Sequence, residues 1–384
     1  MERIKIGMMI NEKRQLQVLH KINFFFFSDL YTLENICNSH RKRLNMVFKR
    51  ALDVSSNENA KTSKLDSKVF LRSNENKPEL KDLTEKDLVI EQDQKIDNTS
   101  FLSENHIAIV AEILKSHQLP IHQAIDQLQS PETYLIIRHL LKSGISADLQ
   151  NKNGETALHK AILNKVDCQT FVELLKHQSN VEIKDVNNES PLHLAFKHQN
   201  IEFVKELLKY GANPNHQMND DYGNTLLHIA SEDGNIALTK ILLEHGANVN
   251  ALDNDKITPL HRAIIENADG CNNQLINELL GFGANVNIKD FVNTTPLHNA
   301  AFNNFMTEDL FQHMLKQCND LNVKNSEGET PLHIATWVGC QSNVRNLLRY
   351  GADANVRDSD GDSSLEIALK YKQRGTFKVL IYNK

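Results

Sequence analysis

One tetrapeptide returns eight times between about residue 119 and the end of this 384-residue chain, and it limits the possible folds more than any other feature. The copies are Leu119-Pro120-Ile121-His122, Thr156-Ala157-Leu158-His159, Ser190-Pro191-Leu192-His193, Thr225-Leu226-Leu227-His228, Thr258-Pro259-Leu260-His261, Thr295-Pro296-Leu297-His298, Thr330-Pro331-Leu332-His333 and Ser363-Ser364-Leu365-Glu366. From His122 to Glu366 the spacings are 37, 34, 35, 33, 37, 35 and 33, a basic period near 33 with short insertions. A period of this size is the signature of a repeat array, in which each unit buries its apolar face only against its neighbours. A chain of this length has room for two or three globular domains, and the period decides for one elongated stack instead.

Each position of the tetrapeptide has a physical role. Thr or Ser is an N-cap, whose hydroxyl accepts a hydrogen bond from an unpaired N–H in the first helical turn. Proline after it costs nothing at the first helical position, where the missing N–H would be unpaired anyway. Leu points to the core. Two residues beyond the His or Glu position stand Ala161, Ala195, Ala230, Ala263, Ala300, Ala335 and Ala368, small enough for neighbouring helices to approach closely. A second helix is predicted around Leu174-Leu175, Leu207-Leu208, Leu242-Leu243, Leu279-Leu280 and Leu347-Leu348. Gly144, Gly211, Gly246, Gly283 and Gly351 then end helices in a left-handed conformation. Two units lack that glycine, with Ser179 and Cys318 in its place, and their helix ends are expected to be less tightly specified.

At these residues the chain closely resembles the ankyrin-repeat family. The likeness covers about residues 118–382, and Gly328-Glu329-Thr330-Pro331-Leu332-His333-Ile334-Ala335 follows the family pattern almost letter for letter. The resemblance implies an all-α solenoid of about eight helix pairs with β-turn fingers, whose inner helices and fingers form a concave face that binds other proteins. Repeats are expected near 118–150, 151–185, 186–221, 222–253, 254–290, 291–325, 326–358 and 359–382. The first and last units depart from the pattern as terminal caps do, with Leu119 for the N-cap and Glu366 for His. Extra residues at Val166-Asp167-Cys168, at 267–272 and in the finger through His216-Gln217-Met218-Asn219 map to loops.

Before the array the composition changes twice. Residues 1–52 hold ten Lys/Arg and four Asp/Glu, so this basic segment, possible helix included, carries +6 and the remainder of the chain −12. Residues 54–100 are rich in Ser, Asn, Glu, Asp and Lys with isolated hydrophobes, a mixture expected to form a disordered linker. The non-globular region is thus expected at the N-terminal side, with domains at 1–53, 54–100 and 101–382. Leu16, Leu19, Ile22, Phe24 to Phe27, Leu30, Leu33, Ile36 and Cys37 loosely resemble the helical F-box, although its leading Leu-Pro is absent. The apolar run at the very start is too short for a secretory leader and no small-x-small cleavage site follows. No stretch is long and apolar enough to span a bilayer.

Catalysis finds no foothold in these motifs. Phosphate-binding, dinucleotide-binding, zinc-protease, hydrolase-elbow and EF-hand patterns are absent in usable context, and the five cysteines include no C-x-x-C pair. The seven cap histidines are spread one per unit, which suits a hydrogen bond from each turn to its neighbour rather than a metal site. Asp253, Asp290 and Asp358 recur where fingers begin and are read as turn-bracing residues. The chain is therefore expected to be a non-enzymatic scaffold without cofactor or metal, monomeric, acting on an unidentified protein partner and not on nucleic acid, whose phosphates an acidic array repels. Trp337 is the one tryptophan, and with Phe302, Phe291, Val292, Arg262, Asn299 and Asn303 it forms the candidate partner-binding patch. The other reading of Phe302 and Trp337 is that they pack on each other and stiffen the inner surface. Asn makes up 43 residues, which fits an AT-rich genome of the kind found in several intracellular bacteria. The resemblance then admits an alternative, a host-directed effector or adaptor whose N-terminal segment recruits a second machinery; the expected location is the cytoplasm, of the source or of a host.

Overall fold

A computed structural model of the chain describes residue 113 and residues 119–127, 133–177, 179–218, 220–267 and 269–382. The basic segment, the expected linker and the F-box-like stretch lie outside these described residues.

Sixteen helices are described, in eight pairs: α1 (Pro120–Gln127) and α2 (Thr133–Lys142), α3 (Ala157–Leu163) and α4 (Cys168–Lys176), α5 (Pro191–Lys197) and α6 (Ile201–Lys209), α7 (Leu226–Glu232) and α8 (Ile236–Glu244), α9 (Pro259–Ile265) and α10 (Asn273–Gly281), α11 (Pro296–Phe302) and α12 (Glu308–Gln317), α13 (Pro331–Val338) and α14 (Gln341–Arg349), α15 (Ser364–Lys370) and α16 (Arg374–Tyr382). Each helix packs on its partner and most also pack on the equivalent helix of the next pair, so contacts stay local along the chain. Among the described residues there is no strand, only isolated bridges at Gln217–Thr225 and Arg357–Ser363.

These helices are short, most of seven to ten residues, too short to be stable alone. Packing holds them. The tetrapeptide leucines Leu158, Leu192, Leu227, Leu260, Leu297 and Leu332 are buried, as is every alanine two residues after the cap histidine. Each buried Leu contributes roughly 1.5–3 kcal/mol, an amount repeated unit after unit.

The cap histidines join the units. In α9, the Thr258 hydroxyl accepts from His261 N–H at 3.3 Å, while the ring Nδ1 accepts from Thr258 N–H at 3.2 Å. Histidine thus takes the place of the Glu or Gln that usually closes a capping box. The other ring nitrogen, Nε2, donates across to the next unit: His122 to Glu155 O, His159 to Glu189 O, His228 to Ile257 O, His261 to Thr294 O, His298 to Glu329 O and His333 to Val356 O, at 2.9–3.3 Å. A carbonyl can only accept, so Nε2 carries a proton in these rings, and in His159, His228, His261, His298 and His333, where Nδ1 accepts the Thr N–H, the ring is neutral. The expectation of one turn-to-turn bond per repeat holds for six histidines.

His193 is the exception. Its Nε2 is buried without a partner; Asn224 O, the equivalent of the carbonyl that takes the ring in most other units, accepts Met218 N–H at 2.6 Å, a donor two residues earlier in the finger than in those units. The longer finger has folded back and stacks His216 on His193, ring centroids 6.2 Å apart. At this step α5 and α7 also approach least among consecutive first helices.

The helix ends without glycine are specified by other means. At Gly211, φ is +90°, and Ala212 N–H reaches back to Leu207 O at 3.0 Å. Where the first complete unit has Ser179, its hydroxyl donates to Leu174 O at 2.6 Å and supplies the bond from a side chain. Cys318 leaves its helix in an extended conformation, with Sγ near Asp320 O. Gly328 answers a different need: a Cβ there would lie 2.7 Å from Ser359 N, which donates to Glu327 O of the adjacent finger. Asparagine, read from the sequence as a sign of genome composition, is also a tie between loops. Asn250 Nδ2 donates to Gly283 O while its Oδ1 accepts from Asn285 N–H, and Asn215 and Asn287 repeat the pattern one unit before and after.

Candidate functional site

Two sequence positions, eight residues apart, meet on the surface of the third and last units. The residue before the cap lies against the residue four after the cap histidine: Glu189 pairs with Lys197 at 2.7 Å, and Lys370 donates to Asp362. The fourth position runs Leu163, Lys197, Glu232, Ile265, Phe302, Trp337, Lys370 along the array. It is charged in the third, fourth and last units and apolar in the fifth to seventh.

Those three apolar residues form the only run of large hydrophobic side chains in this column. Ile265 is 43% and Phe302 42% exposed, and Trp337 is half-buried. The Phe302 and Trp337 rings stack with centroids 6.1 Å apart and planes 28° apart, and Tyr371 meets Trp337 edge-on at 6.4 Å. Mutual packing of Phe302 and Trp337 is therefore real, and it leaves the Phe302 ring accessible. Gln373 Nε2 donates to Trp337 O at 2.9 Å and ties the last unit to the ladder. Tyr371 escaped the sequence reading because it stands five residues after Glu366, out of register with the column.

The remaining candidates are scattered in role. Phe291 is 61% exposed at a finger tip, where its N–H donates to Asp255 O of the preceding finger, and Val292 O accepts from Ser326 N–H of the following one. These bonds align the fingers beside the ladder. Asn299 is half-buried on α11. Arg262 is held by its own chain: its guanidinium donates to Asp253 Oδ2 at 2.9 Å and lies 3.7 Å from Glu232. Asp253 is buried and its other oxygen accepts Asp255 and Ile257 N–H, so Arg262 balances a charge that would otherwise stand alone. Asn303 is buried, its amide donating to Ile264 O and Asn267 O, and it locks the insertion at 267–272 in place rather than facing a partner.

The finger aspartates brace turns as expected. Asp290 Oδ1 accepts Val292 and Thr294 N–H, and Asp358 Oδ1 accepts Asp360 and Asp362 N–H. Asp358, Asp360 and Asp362 lie close enough to share a cation, with Lys370 already beside Asp360 and Asp362. In the same unit Glu366 accepts the Ser363 hydroxyl and N–H, which hold its carboxyl down to about 2. The cysteine thiols at 168, 271, 318 and 340 all have their pKa raised, Cys168 to about 11, by burial and neighbouring acids, which keeps them poorly nucleophilic.

Comparison with known proteins agrees with this geometry. A family model for ankyrin repeats in three copies matches at residues 121–218, 214–290, 268–358 and 297–384, together well over half of the chain. A Borreliella burgdorferi protein named "Putative ankyrin repeat protein" is 29% identical over 137 residues, 35% of this chain and 29% of that protein. The chain thus aligns with less than a third of the length of this curated relative. With the family model matching more than half of the chain, over the same residues that form the paired helices, the chain belongs to the ankyrin-repeat family.

Proposed function

We propose that this protein is a non-enzymatic scaffold that binds a partner protein through the exposed faces of α11, α13 and α15 and the adjoining fingers. Arrays of this family are in general protein-interaction modules, and the observation that carries the reading here is the ladder of Phe302, Trp337 and Tyr371. Aromatic side chains half-open to solvent, with two torsions each, supply large contact area at small entropic cost, and such residues dominate interface energetics. A scaffold has no need of them at this position, since Lys197 and Glu232 fill it in units that fold equally well. The excess of acid over base supports a protein partner over nucleic acid.

The test is an affinity purification from the native source with the full chain as bait, run beside a Trp337→Ala/Phe302→Ala variant. The variant is expected to lose its specific partner by tenfold or more while its thermal midpoint stays within a few degrees. Recovery of the same partner in undiminished yield on the variant refutes the ladder as the docking face.

A further inference from the structure

The ladder and the charge of the array coincide. Residues 253–382, which carry the whole strip through Tyr371, contain sixteen Asp/Glu against twelve Lys/Arg, and all sixteen acids lie before residue 367, in the fifth to seventh units and the last finger and cap. Several of those bases are spent internally: Arg262 on Asp253 and Glu232, Arg357 on Glu366, and Lys324 on the carbonyl of Arg357. Glu327 and Asp360 are exposed on neighbouring fingers, Asp360 with Lys370 4.0 Å away, and Asp255 is half-exposed on the finger whose carbonyl holds Phe291 N–H. The strip itself is bordered by charge on both sides, Glu232 with Arg262 3.7 Å away before Ile265 and the Lys370–Asp362 pair at the other end.

Resting on the reading of the ladder as the docking face, we infer that the Ile265–Phe302–Trp337–Tyr371 strip and the acidic fingers beside it take a cationic protein segment bearing aliphatic or aromatic anchors, rich in Arg or Lys. Apolar anchors bury against Ile265 and the faces of Phe302 and Trp337. Guanidinium or ammonium groups find carboxylates at the finger tips and the faces of exposed rings, where cation–π attraction adds to the charge term. An acidic segment of the same apolar content meets like charge on those fingers and is repelled. Because these carboxylates are solvent-exposed, the attraction depends on salt.

Three tryptophan-free, fluorescein-labelled twelve-residue peptides test this against the full chain by anisotropy: one of Lys and Phe, one of Glu and Phe, one of Lys and Ser. The Lys/Phe peptide is expected to bind, at least tenfold more weakly to Phe302→Ser and about fivefold more weakly to Glu327→Lys/Asp360→Lys or on raising salt from about 50 to 300 mM. All altered side chains are exposed, and circular dichroism on each variant confirms the fold. Equal binding of Glu/Phe and Lys/Phe, lost in Phe302→Ser, overturns the charge assignment and leaves the docking face standing. Equal binding of Lys/Ser and Lys/Phe, indifferent to Phe302→Ser, overturns the inference as non-specific attraction. If no peptide binds while the native partner still needs Trp337, the cationic class is wrong; if the partner does not need Trp337 either, both readings fail.

Discussion

Between pH 7 and pH 5 the array is expected to lose on the order of 6 kcal/mol of stability, read as a fall in the urea midpoint and in the thermal midpoint. The cause is the neutrality of its histidines. Burial lowers the pKa of all seven cap histidines, to about 4 for His193, His261 and His298. In the unfolded chain the same rings titrate near 6.5. Folded His binds protons less readily than unfolded His, so stability is full above pH 6.5 and is lost as pH falls toward 4. For a shift from 6.5 to about 4, the loss by pH 5 is about 2 kcal/mol per residue, and three such residues set the figure above. Geometry explains why protonation is resisted: a proton on Nδ1 would face the Thr N–H that this nitrogen accepts, at 3.1–3.2 Å in five units. Asp255 and Asp290, whose carboxyl pKa values are raised by burial, act in the opposite direction at lower pH. A midpoint unchanged from pH 7.5 to 5 would show that these rings are not buried as described.

Phe171→Ala is expected to destabilise by about 3–5 kcal/mol, the range for removing a large aromatic from a close-packed core. Phe171 is fully buried in α4 and stacks on Phe203 of α6, centroids 4.0 Å apart and planes within 12°. The void would open at the junction of two units, so unfolding followed by hydrogen exchange should loosen α4 and α6 before the distant pairs, in keeping with nearest-neighbour energetics. Phe302→Ala serves as the contrast. Its ring is already 42% exposed, and the same truncation there is expected to cost less than about 2 kcal/mol, well below full core burial. Equal losses at the two sites would mean that the ladder is a structural element, and the functional argument built on it would fall.

Much of the fold was legible because the cap tetrapeptide carries its own physics. Thr258, Pro259, Leu260 and His261 name the N-cap, the first helical position, the core contact and the link to the next unit, and a sequence period repeats the instruction. What could not be read was whatever depends on where a loop goes. Nothing in the letters around His193 distinguishes it from His159; its ring is left without an acceptor at the one junction where the finger is longer and a different residue, Met218, bonds to Asn224 O. Arg262 and Asn303 looked available because they lie in or directly after first helices beside the aromatic patch, yet one neutralises buried Asp253 and the other closes an insertion. The ladder was half visible: Phe302 and Trp337 share a register, whereas Tyr371 joins by a helix turn that register does not reveal.

The pairing of positions eight apart connects these layers. The column position four after the cap histidine carries an ion pair in some units, as in Glu189–Lys197 and Asp362–Lys370, and an apolar side chain in others, as at Ile265, Phe302 and Trp337. The apolar run at Ile265, Phe302 and Trp337 makes a continuous strip of this column, beside fingers that are aligned by backbone bonds.

Trp337 is the chain's single tryptophan, so a biosynthetic fluorotryptophan label gives one fluorine resonance, located in the ladder. Titrating the labelled full chain with its unlabelled captured partner measures the central claim without interference from the partner's own residues. The resonance is expected to shift or broaden and to saturate with the binding curve. A resonance that stays unchanged at saturating partner would place the interface elsewhere on the array and contradict the account.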